Sequence, residues 1–230
     1  MQHRLVAVRA RATPVVYLIA ASWLALLVLA TTRYGAVIRH DRLLVDGPPL
    51  WAASVAFVAG WQVMILAMMA PASLHAFDRV GAGRDLLGFL ISYLVVWTLF
   101  GLVIFFFDAG VHFTVGHWPW LSEHNWLIPG TTLVLVGTYQ LSGLKVASLE
   151  RCRELTRSGL RHAVDCVGAS GGLMLLAFAL AASSLVAMAA IAVVMVSEVS
   201  PLGRNIVKPL GYGLIALGVL VLYGPIQTPF

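Results

Sequence analysis

Charge is the first thing this chain has little of. Only 11% of its 230 residues are Asp, Glu, Lys or Arg. Ordinary soluble domains carry about a quarter, so a water-exposed globular surface is excluded. Cysteine is scarcer still, at two residues. That count excludes a disulfide framework, and two thiols alone do not close a zinc or iron-sulfur site. Also missing are a nucleophile elbow, a phosphate-binding glycine loop, a zinc-protease helix and a dinucleotide fingerprint, so nothing in the sequence argues for catalysis. The net charge of +5 does not imply nucleic acid, because the basic residues sit in short clusters without interleaved aromatics.

What fills the chain instead is apolar. Hydrophobic residues make up 60% of it, and the mean hydropathy is +0.90. At roughly 20 apolar residues per crossing this suffices for about seven membrane helices and leaves too little for a separate soluble domain. The expected fold is all-α, a polytopic transmembrane helix bundle forming one membrane domain over residues 1–230.

Charge-free windows mark the crossings: Ala12 to Thr32, Gly47 to Phe77, Leu86 to Phe107, His124 to Leu144, Cys166 to Ser197 and Pro209 to Phe230. The first follows Arg4, Arg9 and Arg11 but is longer than a usual secretory core and has no clear small-x-small cleavage site before Arg33. It reads as a retained helix. The fifth window holds 32 residues, which as one helix would be about 48 Å long against a hydrocarbon core of roughly 30 Å. A turn at Ser183 and Ser184 divides it. The expected spans are 13–32, 50–71, 86–108, 126–146, 164–182, 185–200 and 209–226.

Loop charge sets the orientation. With seven spans and the N-terminus cytoplasmic, twelve basic residues fall inside and only Arg33, Arg39 and Arg42 outside. A six-span alternative gives ten against five, so the positive-inside bias favours seven, with the C-terminus outside. Trp51, Trp118, Trp120 and Trp126 then share the outer interface, where amphipathic rings prefer headgroup depth. The outer loop from Ala109 to Asn125 is expected to lie along the membrane surface, broken by Pro119.

Few side chains can carry chemistry. Met64 and Met68 stand four apart on span two, with Met69 beside them, and thioethers are soft ligands suited to Cu(I). Flexible packing is the competing explanation for them. Glu198 and Asp165 are acids at span ends near the expected cytoplasmic face, where intramembrane acids bind ions, relay protons or pair with cations. For Glu198 the nearest cations in sequence are Arg204 and Lys208. Asp108 reads as a solvated helix end. Gln62, Tyr139, Gln140 and Lys145 read as interhelical hydrogen-bonding groups, and Gly168 with Gly172 as a small-xxx-small packing motif. Outer histidines His40, His112, His117 and His124 form a metal site only if their loops converge. Cys152 and Cys166 both fall on the expected cytoplasmic side, where thiols stay reduced.

Taken in order, Trp61, Met64, Ala67, Met68, Met69 and Pro71, then Tyr93 and Trp97, resemble a bacterial family described as predicted metal-binding integral membrane proteins. Gly137, Tyr139, Gln140, Leu144, Lys145, Leu149, Cys152 and Arg153 continue the likeness, followed by Cys166, Gly168, Leu173, Met174 and Glu198. It runs from about Trp61 to Gly218. The resemblance implies a multi-pass, metal-binding protein of the bacterial cytoplasmic membrane; by their own chemistry Met64, Met68, Met69, Cys166 and Glu198 are the candidate metal ligands, and copper is the candidate metal. Trp61, Pro71, Tyr93, Trp97, Tyr139, Gln140, Lys145, Gly168 and Gly172 are expected in structural and packing roles. The family pattern has further Cys at positions where this chain has Ser148, Ala169 and Ser170, so the chain is expected to be a degenerate member.

Three functions follow as expectations. The leading one is a non-catalytic accessory subunit packing in the bilayer against other membrane-protein subunits, a metal-dependent oxidoreductase being one such complex. It rests on the lost thiols and on small-residue faces that include Gly211, Gly213 and Gly218. The second is a protein that handles copper or another soft metal. The third is a small-solute or proton transporter built on Glu198 and Asp165.

Overall fold

The computed structural model describes residues 13–32, 43–44, 48–80, 83–154, 158–181, 184–200 and 203–223. The expectations for Arg4, Arg9, Arg11, Arg33, Arg39, His40, Arg42, Arg157 and Ser183 lie outside these residues, as does the end of the seventh span. The described residues are helical throughout and include no strand. We number the helices α1 (Thr13–Thr31), α2 (Leu50–Met68), α3 (Leu74–Val80), α4 (Arg84–His117), α5 (Pro119–Glu123), α6 (Leu127–Gln140), α7 (Gly143–Arg153), α8 (Gly159–Leu176), α9 (Leu185–Val199) and α10 (Gly203–Tyr223). A 3-10 turn, Pro71–Ser73, joins α2 to α3.

Five helices are long and apolar enough to cross a membrane: α1, α2, α4, α8 and α10. Helix α9 is equally apolar but shorter, at 15 residues. Several boundaries depart from expectation, among them the starts of α8 at Gly159 and of α10 at Gly203, where 164 and 209 were expected. Helix α4 runs 34 residues, well past Phe107, because nothing between Ala109 and His117 breaks a helix and the chain turns only at Trp118, ahead of Pro119. The surface loop expected there is mostly helix. The span expected over 126–146 is two helices, since α6 stops at Gln140 and Ser142 starts a new one, its hydroxyl accepting from the Lys145 N–H at 3.2 Å. The division of the fifth window has the same kind of cause: Ser184 caps α9 by accepting from the Ala187 N–H at 3.3 Å.

Helices α2 and α4 pack antiparallel through aromatics and two cross-helix bonds. The Trp61 indole N–H donates to the Trp97 carbonyl at 2.8 Å, and Gln62 donates to the Thr98 hydroxyl. The Trp61 ring lies so close over Gly101 that a Cβ there would stand 2.4 Å from its nitrogen, so only glycine permits the contact. Phe57 stacks on Phe105 with ring centroids 4.5 Å apart. Trp23 of α1 donates to the Ala67 carbonyl at 3.0 Å, tying the first helix to the end of α2.

Helices α6 and α10 form the other close pair. A Cβ on Gly137 would lie 2.8 Å from the Gly211 carbonyl, and one on Gly218 would lie 2.8 Å from the Gly130 carbonyl. Gly211 and Gly218, expected to face other subunits, are therefore used inside the bundle. Gly168 packs on Ser148, and Gly172 packs on Tyr139. In consequence the C-terminal ends of α2, α6 and α9 and the N-terminal ends of α4 and α8 meet at one end of the bundle.

Candidate metal centre

At that end α7 lies against α8. The buried residues of α7 are Lys145, Ser148, Leu149 and Cys152, a stripe at spacings of three, one and three. His162 and Cys166 stand four apart on α8, hence on one face, and both are fully buried. Arg151 reaches Asp165 with a 2.8 Å hydrogen bond between Nε and Oδ1. Arg151 and Asp165 immediately precede Cys152 and Cys166, so this clasp sets the register that brings the two thiols together. With Arg151 about half exposed, the pair contributes geometry more than energy.

Cys152, His162 and Cys166 each present a ligand atom, and the three atoms lie within 4.8 Å of one another. Metal-sulfur bonds of about 2.3 Å and metal-nitrogen bonds of about 2.0 Å put the ligands of a trigonal site roughly 4 Å apart. The observed triangle is within about an ångström of that, which small side-chain rotations cover. Both cysteines are free thiols.

The surroundings fix which atoms are available. His162 Nε2 lies 3.2 Å from Ser73 Oγ, Ser73 Oγ donates to Tyr93 OH at 3.3 Å, and Tyr93 OH lies 3.6 Å from the Cys166 sulfur. Ser73 Oγ is also 3.7 Å from that sulfur. Read with consistent polarity, the imidazole Nε2–H donates to serine, serine to tyrosine, and tyrosine to sulfur. This leaves the lone pair on His162 Nδ1, which is buried and has no hydrogen-bond partner. A buried nitrogen of that kind costs free energy unless something accepts its lone pair, and a soft cation does so. The Cys152 thiol is held above its ordinary range, first by its hydrogen bond to the Cys166 sulfur and then by burial. It therefore carries a proton that an arriving metal must displace.

A second polar cluster borders the first. Lys145 Nζ donates to Glu198 Oε2 at 2.7 Å and also to the Ala169 carbonyl, while Gln140 Nε2 donates to Glu198 Oε1 at 2.6 Å. Lys145 is 1% exposed and Glu198 not at all. The partner of Glu198 is thus Lys145, brought in from α7, rather than Lys208, and the Arg204 side chain lies outside the described residues. Because both carboxylate oxygens are engaged, the structure does not bring Glu198 into the cysteine-histidine group. Asp165 is likewise taken, by Arg151. Arg153 donates to the Glu198, Val199 and Ser200 carbonyls, closing the end of α9. Tyr139 donates to the Gly168 carbonyl at 2.6 Å.

Of the residues expected as ligands, the structure brings Cys166 into the group. Met64, Met68 and Met69 are buried at the end of α2, on the segment that leads into Pro71 and Ser73. Trp61, Tyr93 and Trp97 are among the most buried side chains. His112, His117 and His124, expected on the outer side, bond to carbonyls one turn back, and no metal-binding group forms among them within the described residues. His162 was missed by the sequence reading, although its i, i+4 spacing to Cys166 was the available signal.

A profile of the PpoB2 copper chaperone family matches residues 58–221. The chain belongs to this family. The match takes in every residue of the cysteine-histidine group and of the Ser73–Tyr93 network around it. No curated protein and no solved structure is significantly similar to this member of the copper chaperone family.

Proposed function

We propose that this protein binds Cu(I) as cargo, through Cys152, His162 and Cys166, within a membrane-embedded helix bundle. The observation that carries the reading is a buried group of two sulfurs and one imidazole, beside Ser73, in which His162 Nδ1 has no hydrogen-bond partner. Two thiolates and one imidazole are soft and borderline donors, which suit Cu(I) far better than a hard cation. Membership of a copper chaperone family supports the same choice. The family resemblance gives further thiols at positions held here by Ser148, Ala169 and Ser170, so in this chain two cysteines and a histidine carry the binding. The accessory-subunit reading loses one of its supports, since Gly211 and Gly218 are consumed inside the bundle.

We place the site at the cytoplasmic end of a seven-span bundle in a bacterial inner membrane, with α6 and α9 as the two shorter crossings. The support is the cluster of Arg79, Arg84, Arg151, Arg153 and Arg161 at the same end as the thiols. The test is anaerobic Cu(I) titration of the detergent-purified protein against a chromophoric Cu(I) chelator. One tight equivalent is expected, lost in Cys152→Ser and in Cys166→Ser. Retention of that equivalent in both variants would overturn the reading.

A further inference from the structure

A buried binding site needs a way in, and one titratable side chain beside it has no role so far. His75 is the second residue of α3, two positions after Ser73. Its residue is partly exposed, yet its Nε2 is buried and has no hydrogen-bond partner. The imidazole donates to the Ala72 and Cys152 backbone carbonyls, so it is tethered to the backbone of one of the proposed ligands. With the ring's other nitrogen serving those bonds, Nε2 carries a free lone pair.

The ring stands edge-on to His162, with centroids 6.0 Å apart. Two metal-nitrogen bonds of about 2 Å each, plus the ring radii, make roughly 6 Å the separation at which two imidazoles can share one ion. His162 is fully buried, whereas His75 is the partly exposed member of the pair. An ion held by His75 Nε2 is therefore one ligand exchange from the site, on a ring whose residue also reaches the surface.

We propose that His75 is an exchange ligand, the first protein contact for incoming Cu(I) and the last for outgoing Cu(I), delivering it to and from the Cys152, His162 and Cys166 triangle. This rests on the copper reading above. The copper stays Cu(I) throughout. One bond to the donor's ligand breaks as the bond to His75 Nε2 forms, then that bond breaks as bonds to His162 and the two sulfurs form. The displaced thiol protons pass to buffer.

The experiment is stopped-flow transfer, in both directions, between the detergent-purified protein and a small-thiol Cu(I) complex or a chromophoric chelator, using wild type, His75→Gln and His75→Met. His75→Gln is expected to slow loading and removal alike, by about tenfold, the scale on which residues supporting a metal site act. The equilibrium affinity stays unchanged because both directions slow together. His75→Met supplies a soft thioether at the same place and is expected to restore the rates, which a merely structural role would not do. Unchanged rates in His75→Gln would overturn the proposal. So would a loss of equilibrium affinity in that variant, which would make His75 a static ligand, or a failure of His75→Met to restore exchange. A wild-type chain that takes up no Cu(I) overturns the metal site itself and this inference with it, a result distinct from all the others.

Discussion

Removing Lys145 isolates the carboxylate of Glu198 in the most buried part of the site's surroundings. In Lys145→Met the side-chain volume is nearly kept, so the loss is electrostatic rather than a cavity. Two donors disappear, one to Glu198 Oε2 at 2.7 Å and one to the Ala169 carbonyl, and only Gln140 still serves the carboxylate. Breaking a buried pair from one side costs about 3 to 5 kcal/mol, and the surviving Gln140 bond argues for the lower end, about 3 kcal/mol. Glu198→Gln alone leaves the ammonium buried against a carbonyl and an amide, for a cost of about 2 kcal/mol. The double variant has no buried charge left. It should lose only about 1 kcal/mol relative to wild type, because replacing both ions by neutral groups is often close to neutral. The cycle therefore gives a coupling of about 4 kcal/mol, far beyond the roughly 0.5 kcal/mol scatter of independent sites. Reversible unfolding of the four proteins in mixed micelles, titrated with denaturing detergent, measures it. Additive losses would refute the argument, showing that Lys145 and Glu198 do not depend on each other.

Two further outcomes follow from the site. The Cys152 thiol, held above its ordinary range, is protonated in the metal-free protein at neutral pH. Copper must displace that proton, so Cu(I) affinity should rise with pH, by about tenfold per unit for each proton released; competition titrations between pH 6 and 8 check this, and a flat profile would contradict it. Ser73→Ala removes no ligand but takes away the acceptor that sets the His162 tautomer. Its Cu(I) affinity should fall by about 10- to 100-fold with stoichiometry retained, measured by the same competition.

How much of this was legible in the sequence differs from residue to residue. The apolar windows located the helices because charge is the one thing a lipid-facing stretch cannot hold. The division at Ser184 was readable from length and capping chemistry. The overrun of α4 was not, since hydropathy ends at Asp108 while helical propagation continues until the residue before Pro119 stops it. The break after Gln140 was also missed, because Leu141 to Gly143 keeps the apolar character of a span and only the serine cap marks a new start. At the site, His162 and Cys166 carried a local signal in their spacing. Cys152 and Lys145 did not, because they come from a short helix whose path across α8 depends on the Arg151–Asp165 clasp and on Glu198, which is 53 residues from Lys145 along the chain.

The most direct test of the central claim is X-ray absorption at the copper edge of the Cu(I)-loaded wild-type protein, alongside Cys152→Ser and Cys166→Ser. The account predicts one Cu(I) with two sulfur neighbours at about 2.3 Å and one nitrogen at about 2.0 Å, and loss of that environment in either variant. A copper shell of oxygen and nitrogen only, or one that survives both substitutions, would contradict it.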